Sequence, residues 1–161
     1  ISLRNNLKKI EGRDIVYYWF EKNNKILLGA QFEKQSYALK VNFIGKTIKG
    51  PPYASDLYSL VLQDQKNSGN INSIVLSDRD LSDEGFNIWK RLLNNHKLGV
   101  YDLNNPGNFI PVNTLNDLNQ YFGQNTSYKN YQYVLSESLA DHVETKLIFR
   151  LRQLREDAGI L

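Results

Sequence analysis

The segment Gly45-Lys46-Thr47-Ile48-Lys49-Gly50-Pro51-Pro52 puts two lysines and a glycine directly before a helix-forming run that opens at Tyr53, Ala54 and Ser55. The first N–H groups of a helix have no internal partner and, together with the helix dipole, make its start an anion site. Lys46 and Lys49 add two positive charges beside it. Thiol chemistry is excluded, because the chain has no cysteine: no disulfide scaffold, no thiolate zinc site, no Cys nucleophile and no redox CxxC. The two histidines, His96 and His142, lie far apart and give neither HxxxH nor HExxH spacing, which argues against a His-built metal site.

Three other groupings have chemical potential and a simpler structural account. Tyr17, Tyr18, Trp19 and Phe20 beside Lys22 and Lys25 could stack single-stranded bases, but alternate residues of such a run also fill the two faces of a central strand. Tyr128, Tyr131 and Tyr133 with Lys129 could form a recognition surface, and equally a half-buried edge strand. Lys146, Arg150, Arg152 and Arg155 could clasp an acidic partner or a nucleic acid, and equally sit on a solvated face with cations near a helix C-terminus, where the dipole favours them. His96 reads as a helix-end cap. The structural account is preferred for each.

Bulk composition agrees with an ordinary globular chain. In 161 residues, 41% are apolar and 23% charged, which fits a single domain and rules out wholesale disorder. The net charge of +3 is mild and not gathered into a basic stripe, so nucleic acid is not the expected partner. No run approaches the ~18 apolar residues of a membrane span, and nothing at the N-terminus reads as a signal peptide, so a cytoplasmic, non-membrane setting is expected. The chain starts at Ile1 and contains no methionine, which points to processing or excision from a longer chain.

The elements that must position the loop follow from periodicity. Leu3, Leu7 and Ile10 predict about two helical turns ended by Gly12. Residues 14–21, 26–33 and 36–44 predict three strands of an antiparallel meander, the first two joined by a polar turn at 22–25. In the third, Tyr37, Leu39, Val41 and Phe43 alternate with polar or small residues and are expected on one buried face. Residues 53–66 predict a helix with Ala54, Leu57, Tyr58, Val61 and Leu62 on its apolar face. A strand at 71–77, a helix within 78–96 with Ser82 as N-cap, and a strand at 98–102 follow. A turn at 104–108, a short helix at 112–123 capped by Asn113 or Thr114, a strand at 128–137 and an amphipathic helix at 138–159 ended by Gly159 complete the chain. The whole predicts one domain over residues 1–161, an α/β (α+β) fold with a mixed, mostly antiparallel sheet of six or seven strands flanked by helices.

This order, with Ala54-Ser55-Asp56-Leu57-Tyr58, Leu76-Ser77-Asp78 and Ser82-Asp83-Glu84-Gly85-Phe86-Asn87-Ile88-Trp89, resembles the GNAT acetyltransferase superfamily. It is most similar to small, divergent GNAT-like proteins of bacteriophages, and the resemblance covers roughly residues 14–102. It implies a GNAT-like fold with a V-shaped gap between strands 36–44 and 71–77. Acetyl-CoA would lie in that gap, with Val41, Phe43, Leu76 and Ser77 along the pantetheine and Lys46, Lys49, Gly50, Tyr53, Ala54 and Ser55 around the pyrophosphate. It also implies direct acyl transfer to an amine on a small molecule or a protein. Glu33 and Asp78 are the candidate general bases. Trp89 stands where a proton-donating tyrosine is expected, and Tyr101 is the candidate substitute.

The family loop R/Q-x-x-G-x-G/A offers consecutive N–H groups to the phosphates, whereas here Pro51 and Pro52 remove two donors. At roughly 1.5–3 kcal/mol for each hydrogen bond to a charged group, about 3–6 kcal/mol of acetyl-CoA affinity is lost unless the lysines compensate. The expected function is thus an acetyl-CoA-dependent N-acyltransferase or a descendant of one, of phage origin and acting in host cytoplasm or virion. The alternative is a catalytically silent member that binds a protein partner, as a virion component or an inhibitor of a host enzyme.

Overall fold

The structure, a computed structural model, describes residues 6–35, 38–68, 74–78, 81–104, 109–122 and 131–136, with 150, 151, 154 and 157–159. The chain runs β1 (Leu7–Glu11), β2 (Ile15–Lys22), β3 (Lys25–Gln35), β4 (Ala38–Lys46), α1 (Ala54–Asn67) and β5 (Ile74–Leu76). It continues through α2 (Asp83–Leu93), β6 (Leu98–Asp102), β7 (Phe109–Val112), α3 (Leu115–Asn119) and β8 (Tyr131–Ser136). Among the described residues these form a mixed α+β fold around one eight-stranded sheet, ordered β1-β2-β3-β4-β5-β8-β6-β7. Every neighbouring pair is antiparallel except β4 and β5, which run parallel. No helix among the described residues is long and apolar enough to cross a membrane.

The meander forms as its alternation predicts. Asn23 and Asn24, at φ 52° and 63°, make the two-residue turn between Lys22 and Lys25, the left-handed geometry that matches strand twist and that Asn tolerates. Val16, Tyr18 and Phe20 turn one face of β2 into the core, while Tyr17 stays exposed on the other. The aromatic run is therefore a two-faced strand.

The N-terminal segment is not α-helical where described. Residues 7–11 form β1 against β2, with Leu7 opposite Phe20 and Ile10 opposite Tyr17. Leu7 packs on the core, but Ile10 is 62% exposed on the opposite face. The Leu–Ile spacing that suggested a helix thus serves both sides of an edge strand, because pairing with β2 satisfies more backbone than an isolated two-turn helix could. Lys9 anchors this edge: its ammonium lies 3.0 Å from Asp64 on α1, which also accepts the Tyr18 hydroxyl at 2.6 Å.

The alternation expected of β4 also breaks. Gln31 pairs with Phe43 and Phe32 with Val41, leaving Asn42 as an extra residue. A bulge of this kind bends its strand and reverses the faces beyond it. Leu39 and Val41 stay buried, but Phe43 is turned to the face away from the helices and is 57% exposed.

The main core lies between the sheet and the helices, where Leu57, Tyr58, Val61 and Leu62 of α1 and Phe86, Trp89 and Leu92 of α2 meet the inward strand residues. A smaller cluster on the opposite face holds Ala38, Ile74, Leu76, Tyr101, Phe109 and Val134. Ser82 caps α2 by accepting the Gly85 N–H at 3.0 Å, and Thr114 caps α3 by accepting the Asp117 N–H at 3.1 Å.

Two departures lie in the second half. Residues 109–112 form an edge strand, β7, which Pro111 does not prevent because an edge leaves one side unpaired. Tyr131 and Tyr133 belong to an interior strand, not an edge: β8 inserts between β5 and β6, and Tyr133 is buried with its hydroxyl donating to the Leu118 carbonyl at 2.6 Å. In the C-terminal segment Arg150, Leu151, Leu154 and Asp157 are helical and Gly159 takes φ 72°, as expected of a helix stop, while Leu151 and Leu154 are exposed. The rest of the helix expected at 138–159, with His142, Lys146, Arg152 and Arg155, lies outside the described residues, as do Tyr37, Tyr128, Lys129 and Gly123.

Candidate functional site

The two parallel strands meet only briefly. Leu39 pairs with Val75 and Lys40 with Leu76, and the ladder stops there. Two local causes drive the parting. The bulge at Asn42 bends β4 just past the last pair. On the other side Ser77 is drawn to β8: its N–H donates to the Tyr133 carbonyl at 3.0 Å, its hydroxyl accepts the Tyr133 N–H at 2.8 Å, and its carbonyl accepts from Gln132 at 3.0 Å. Among the described residues, Val41–Lys46 therefore has no strand on the side turned from β3.

The resulting wedge opens beneath α1 and α2. Its inner part is a cavity of about 230 Å³ lined by Val41, Asn42, Phe43, Tyr58, Asp78 and Trp89 among others. It adjoins a groove of about 510 Å³, with which it shares Ile44 and Ile88, and which runs to the start of α1 past Lys46, Tyr53, Ala54, Ser55, Glu84 and Arg91.

The loop into α1 is built as a fixed bend. Thr47 ties it to the β2–β3 hairpin end, its hydroxyl donating to the Ile26 carbonyl at 2.7 Å and its N–H to the Leu27 carbonyl at 2.9 Å. Gly50 takes φ 77°, a conformation that favours glycine. The Lys46 ammonium donates to the Gly50 carbonyl, and Pro52 is buried. Tyr53 is the N-cap, but a phenol cannot cap its own helix start; Asp56 accepts the Tyr53 N–H through Oδ2 at 2.9 Å instead. The Asp56 N–H itself turns back to the Tyr53 carbonyl at 3.0 Å. The first turn thus carries a carboxylate, and Ala54 and Ser55 beside it line the groove.

Positive charge reaches the groove through side chains. Arg91 lies with its guanidinium carbon 3.9 Å from the Tyr53 ring centroid, and the Lys46 ammonium lies 4.6 Å from the same ring. Glu84, Asn87, Ile88 and Arg91 recur at helical spacing along the face of α2 that lines the groove. Among the described residues neither Lys46 nor Arg91 is paired with a carboxylate.

Tyr58 occupies the inner cavity between aromatic neighbours, with Phe32 and Trp89 ring centroids each 6.0 Å away. Burial, and secondarily the charge of Asp78, push its phenol well above the ordinary tyrosine range. It stays protonated throughout the physiological range.

The residues singled out from sequence divide accordingly. Asp78, Val41 and Phe43 line the inner cavity, although most of Phe43 is turned to the outer face; Lys46, Tyr53, Ala54 and Ser55 line the groove. Lys49 and Gly50 belong to the loop but line neither space. Leu76 and Ser77 are fully buried, and Ser77 is bonded to β8. Glu33 projects from the face of β3 away from the helices, 3.9 Å from Lys40 and accepting from Gln35 at 3.2 Å, and lines neither space. Tyr101 is buried in the opposite-face cluster, and β8 separates its strand from β5. Glu33, Asp78 and Tyr101 are therefore not brought together. His96, at the end of α2, bonds Ser59 across to α1 at 2.8 Å, a link between the two helices.

The residues missed were Tyr58 and Arg91. Tyr58 was visible as part of the apolar face of α1, and only the packing of α1 on the wedge brings it to the inner cavity. Arg91 had a signal in its spacing of seven from Glu84 on one helical face. No protein-family model matches the chain, and neither a curated protein nor a solved structure matches it.

Proposed function

We propose that the chain is a divergent GNAT-like protein that transfers an acyl group from a pantetheine thioester such as acetyl-CoA to an amine. The observation that carries this reading is the wedge between β4 and β5, two parallel strands parting after Lys40 and Leu76 with the start of α1 at its wide end. The edge of Val41–Lys46, which has no strand beside it among the described residues, can pair with the amides of a pantetheine arm, as with an added strand. The residues fit the donor in part: Lys46 and Arg91 supply cations for a phosphate, and Ile44 and Ile88 supply apolar wall. Pro51, Pro52 and the Asp56 carboxylate oppose it.

The thioester, when bound, supplies an activated carbonyl. The chain's part is then to orient it and to move two protons. Asp78 is the carboxylate placed to take the proton from the attacking amine. Tyr58 is the phenol placed to return one to the thiolate as the carbon–sulfur bond breaks. Glu33 and Tyr101 take no part in this scheme.

The second reading, a catalytically silent protein-binding member, draws support from the donor-poor loop and from Ile10, Tyr17 and Phe43, which stay exposed on the outer face of the meander. Thermal melting with acetyl-CoA separates the two. A binding-competent chain gains RT ln(1 + [L]/Kd), about 2.7 kcal/mol at a hundredfold excess over Kd. No shift at millimolar acetyl-CoA sinks the acyltransferase reading and leaves the silent one.

A further inference from the structure

We infer that the groove grips its acyl donor through a single phosphate held by Lys46 and Arg91, so that pantetheine 4′-phosphate is the recognised unit and the remaining phosphates of CoA add nothing. This rests on the acyltransferase reading above and specifies its donor.

Charge is the first ground. The groove is lined by two cations, Lys46 and Arg91, and one acid, Glu84, a net of +1 (2 − 1). CoA brings a diphosphate and a phosphomonoester, about four negative charges near neutral pH, whereas pantetheine 4′-phosphate brings about 1.5 to 2. Only the smaller charge approaches what the groove can neutralise.

Donor supply is the second ground. Pro51 and Pro52 have no N–H to offer. The N–H of Tyr53 is spent on Asp56, whose carboxylate stands in the first turn where a second phosphate would approach. Lys49, the remaining loop cation, does not line the groove.

Pre-organisation is the third. Tyr53 has the guanidinium carbon of Arg91 3.9 Å and the ammonium of Lys46 4.6 Å from its ring centroid, so one ring contacts both cations of the groove. Lys46 gives one of its three N–H donors to the Gly50 carbonyl, and its remaining donors, with those of Arg91, have no carboxylate competitor for an anion in the groove.

Calorimetric titration of the full chain with pantetheine, pantetheine 4′-phosphate and CoA tests this. The 4′-phosphate is expected to tighten pantetheine binding at least tenfold, with CoA within tenfold of pantetheine 4′-phosphate. Arg91→Gln and Lys46→Gln, both at exposed positions, should each remove most of that phosphate gain. In a transfer assay, acetyl-pantetheine 4′-phosphate should match acetyl-CoA in kcat/KM within tenfold. CoA binding more than tenfold tighter than pantetheine 4′-phosphate overturns the inference but leaves the acyltransferase reading intact. A phosphate gain that survives both substitutions also overturns it. Failure of all three ligands to bind at millimolar concentration removes the inference and the acyltransferase reading together.

Discussion

Asp56 accepts the backbone N–H of Tyr53 through Oδ2 at 2.9 Å, closing the first turn of α1 on its own carboxylate. A charge at this point opposes any anion brought to the helix start, by about 0.3–1 kcal/mol when exposed. Asp56→Asn keeps an oxygen able to accept the same N–H and removes the charge. Affinity for CoA should rise about two- to fivefold by titration, since 0.3–1 kcal/mol corresponds to that range. Unchanged or weaker CoA binding in the folded variant means the carboxylate is not what limits the site.

The prolines act on the same mouth by a different route. Replacing Pro51 and Pro52 with glycine restores two N–H donors, each worth roughly 1.5–3 kcal/mol if it reaches a phosphate. Glycine also loosens the loop before binding, so the net gain should be smaller than their sum. CoA should gain more than pantetheine 4′-phosphate does, because it has more phosphates to meet the new donors. An unaltered CoA affinity shows that donor number is irrelevant here.

The inner cavity makes a kinetic prediction. Tyr58 is held protonated by burial and by Asp78, and Asp78 lines the same cavity. Tyr58→Phe and Asp78→Asn should each lower kcat for acetyl transfer by about a hundredfold or more, the usual scale for loss of a general acid or base. The KM for the donor should stay within a fewfold. Full kcat in Tyr58→Phe returns the phenol to a purely structural place, and then Trp89 and Phe32 are its whole explanation.

Much of this architecture was legible because its causes are local. The meander follows from alternation in residues 14–44, its turn from Asn23 and Asn24, and the start of α2 from Ser82 ahead of two acids. The failures came where one residue changes the period or where distant pairing overrides it. Asn42 looks like any polar strand residue, yet as a bulge it moves Phe43 to the opposite face and helps part β4 from β5. Leu7 and Ile10 fit a helix until β2 offers them a partner. Tyr101 seemed near the wedge in sequence, but the insertion of β8 beside β5 is a long-range choice that no short window encodes. The cationic wall of the groove was half visible: Lys46 could be read directly, while Arg91 reaches Tyr53 only through the packing of α2 beside α1.

Three phenols give the fold a characteristic alkaline limit. Burial raises Tyr18, Tyr58 and Tyr133 well above the ordinary value of 10.0, with Asp64 adding to the first, Asp78 to the second and Tyr121 to the third. A folded-state pKa raised above the unfolded one favours the protonated native form. The stabilisation is full below pH 10 and is lost as pH rises through the raised values, because the unfolded chain releases these protons first. Denaturation midpoints should therefore hold up to about pH 10 and fall steeply beyond it. Tyr58→Phe or Tyr133→Phe should flatten that fall. An identical alkaline slope in both variants would falsify the assignment of the limit to these side chains.

The far edge of the sheet depends on a missing side chain. Gly99 pairs with Pro111 on β7 and Val134 on β8, and the Phe109 ring lies across it. A Cβ at position 99 would stand 2.1 Å from Phe109 Cζ and 2.2 Å from Cε2, distances no pair of carbons sustains. Phe109 is itself buried against Tyr101 and Val134, so its ring cannot simply swing aside. Gly99→Ala should cost about 1–3 kcal/mol, the usual penalty for overpacking a closed site, read as a lowered urea midpoint with little change in slope. Gly45→Ala, whose Cβ meets nothing within 4 Å, should stay within about 0.5 kcal/mol of the parent, as surface substitutions do. Adding Phe109→Leu to Gly99→Ala should recover part of the loss by making room for the methyl group. Equal stability of Gly99→Ala and Gly45→Ala would mean that β7 is not packed on β6 through this ring.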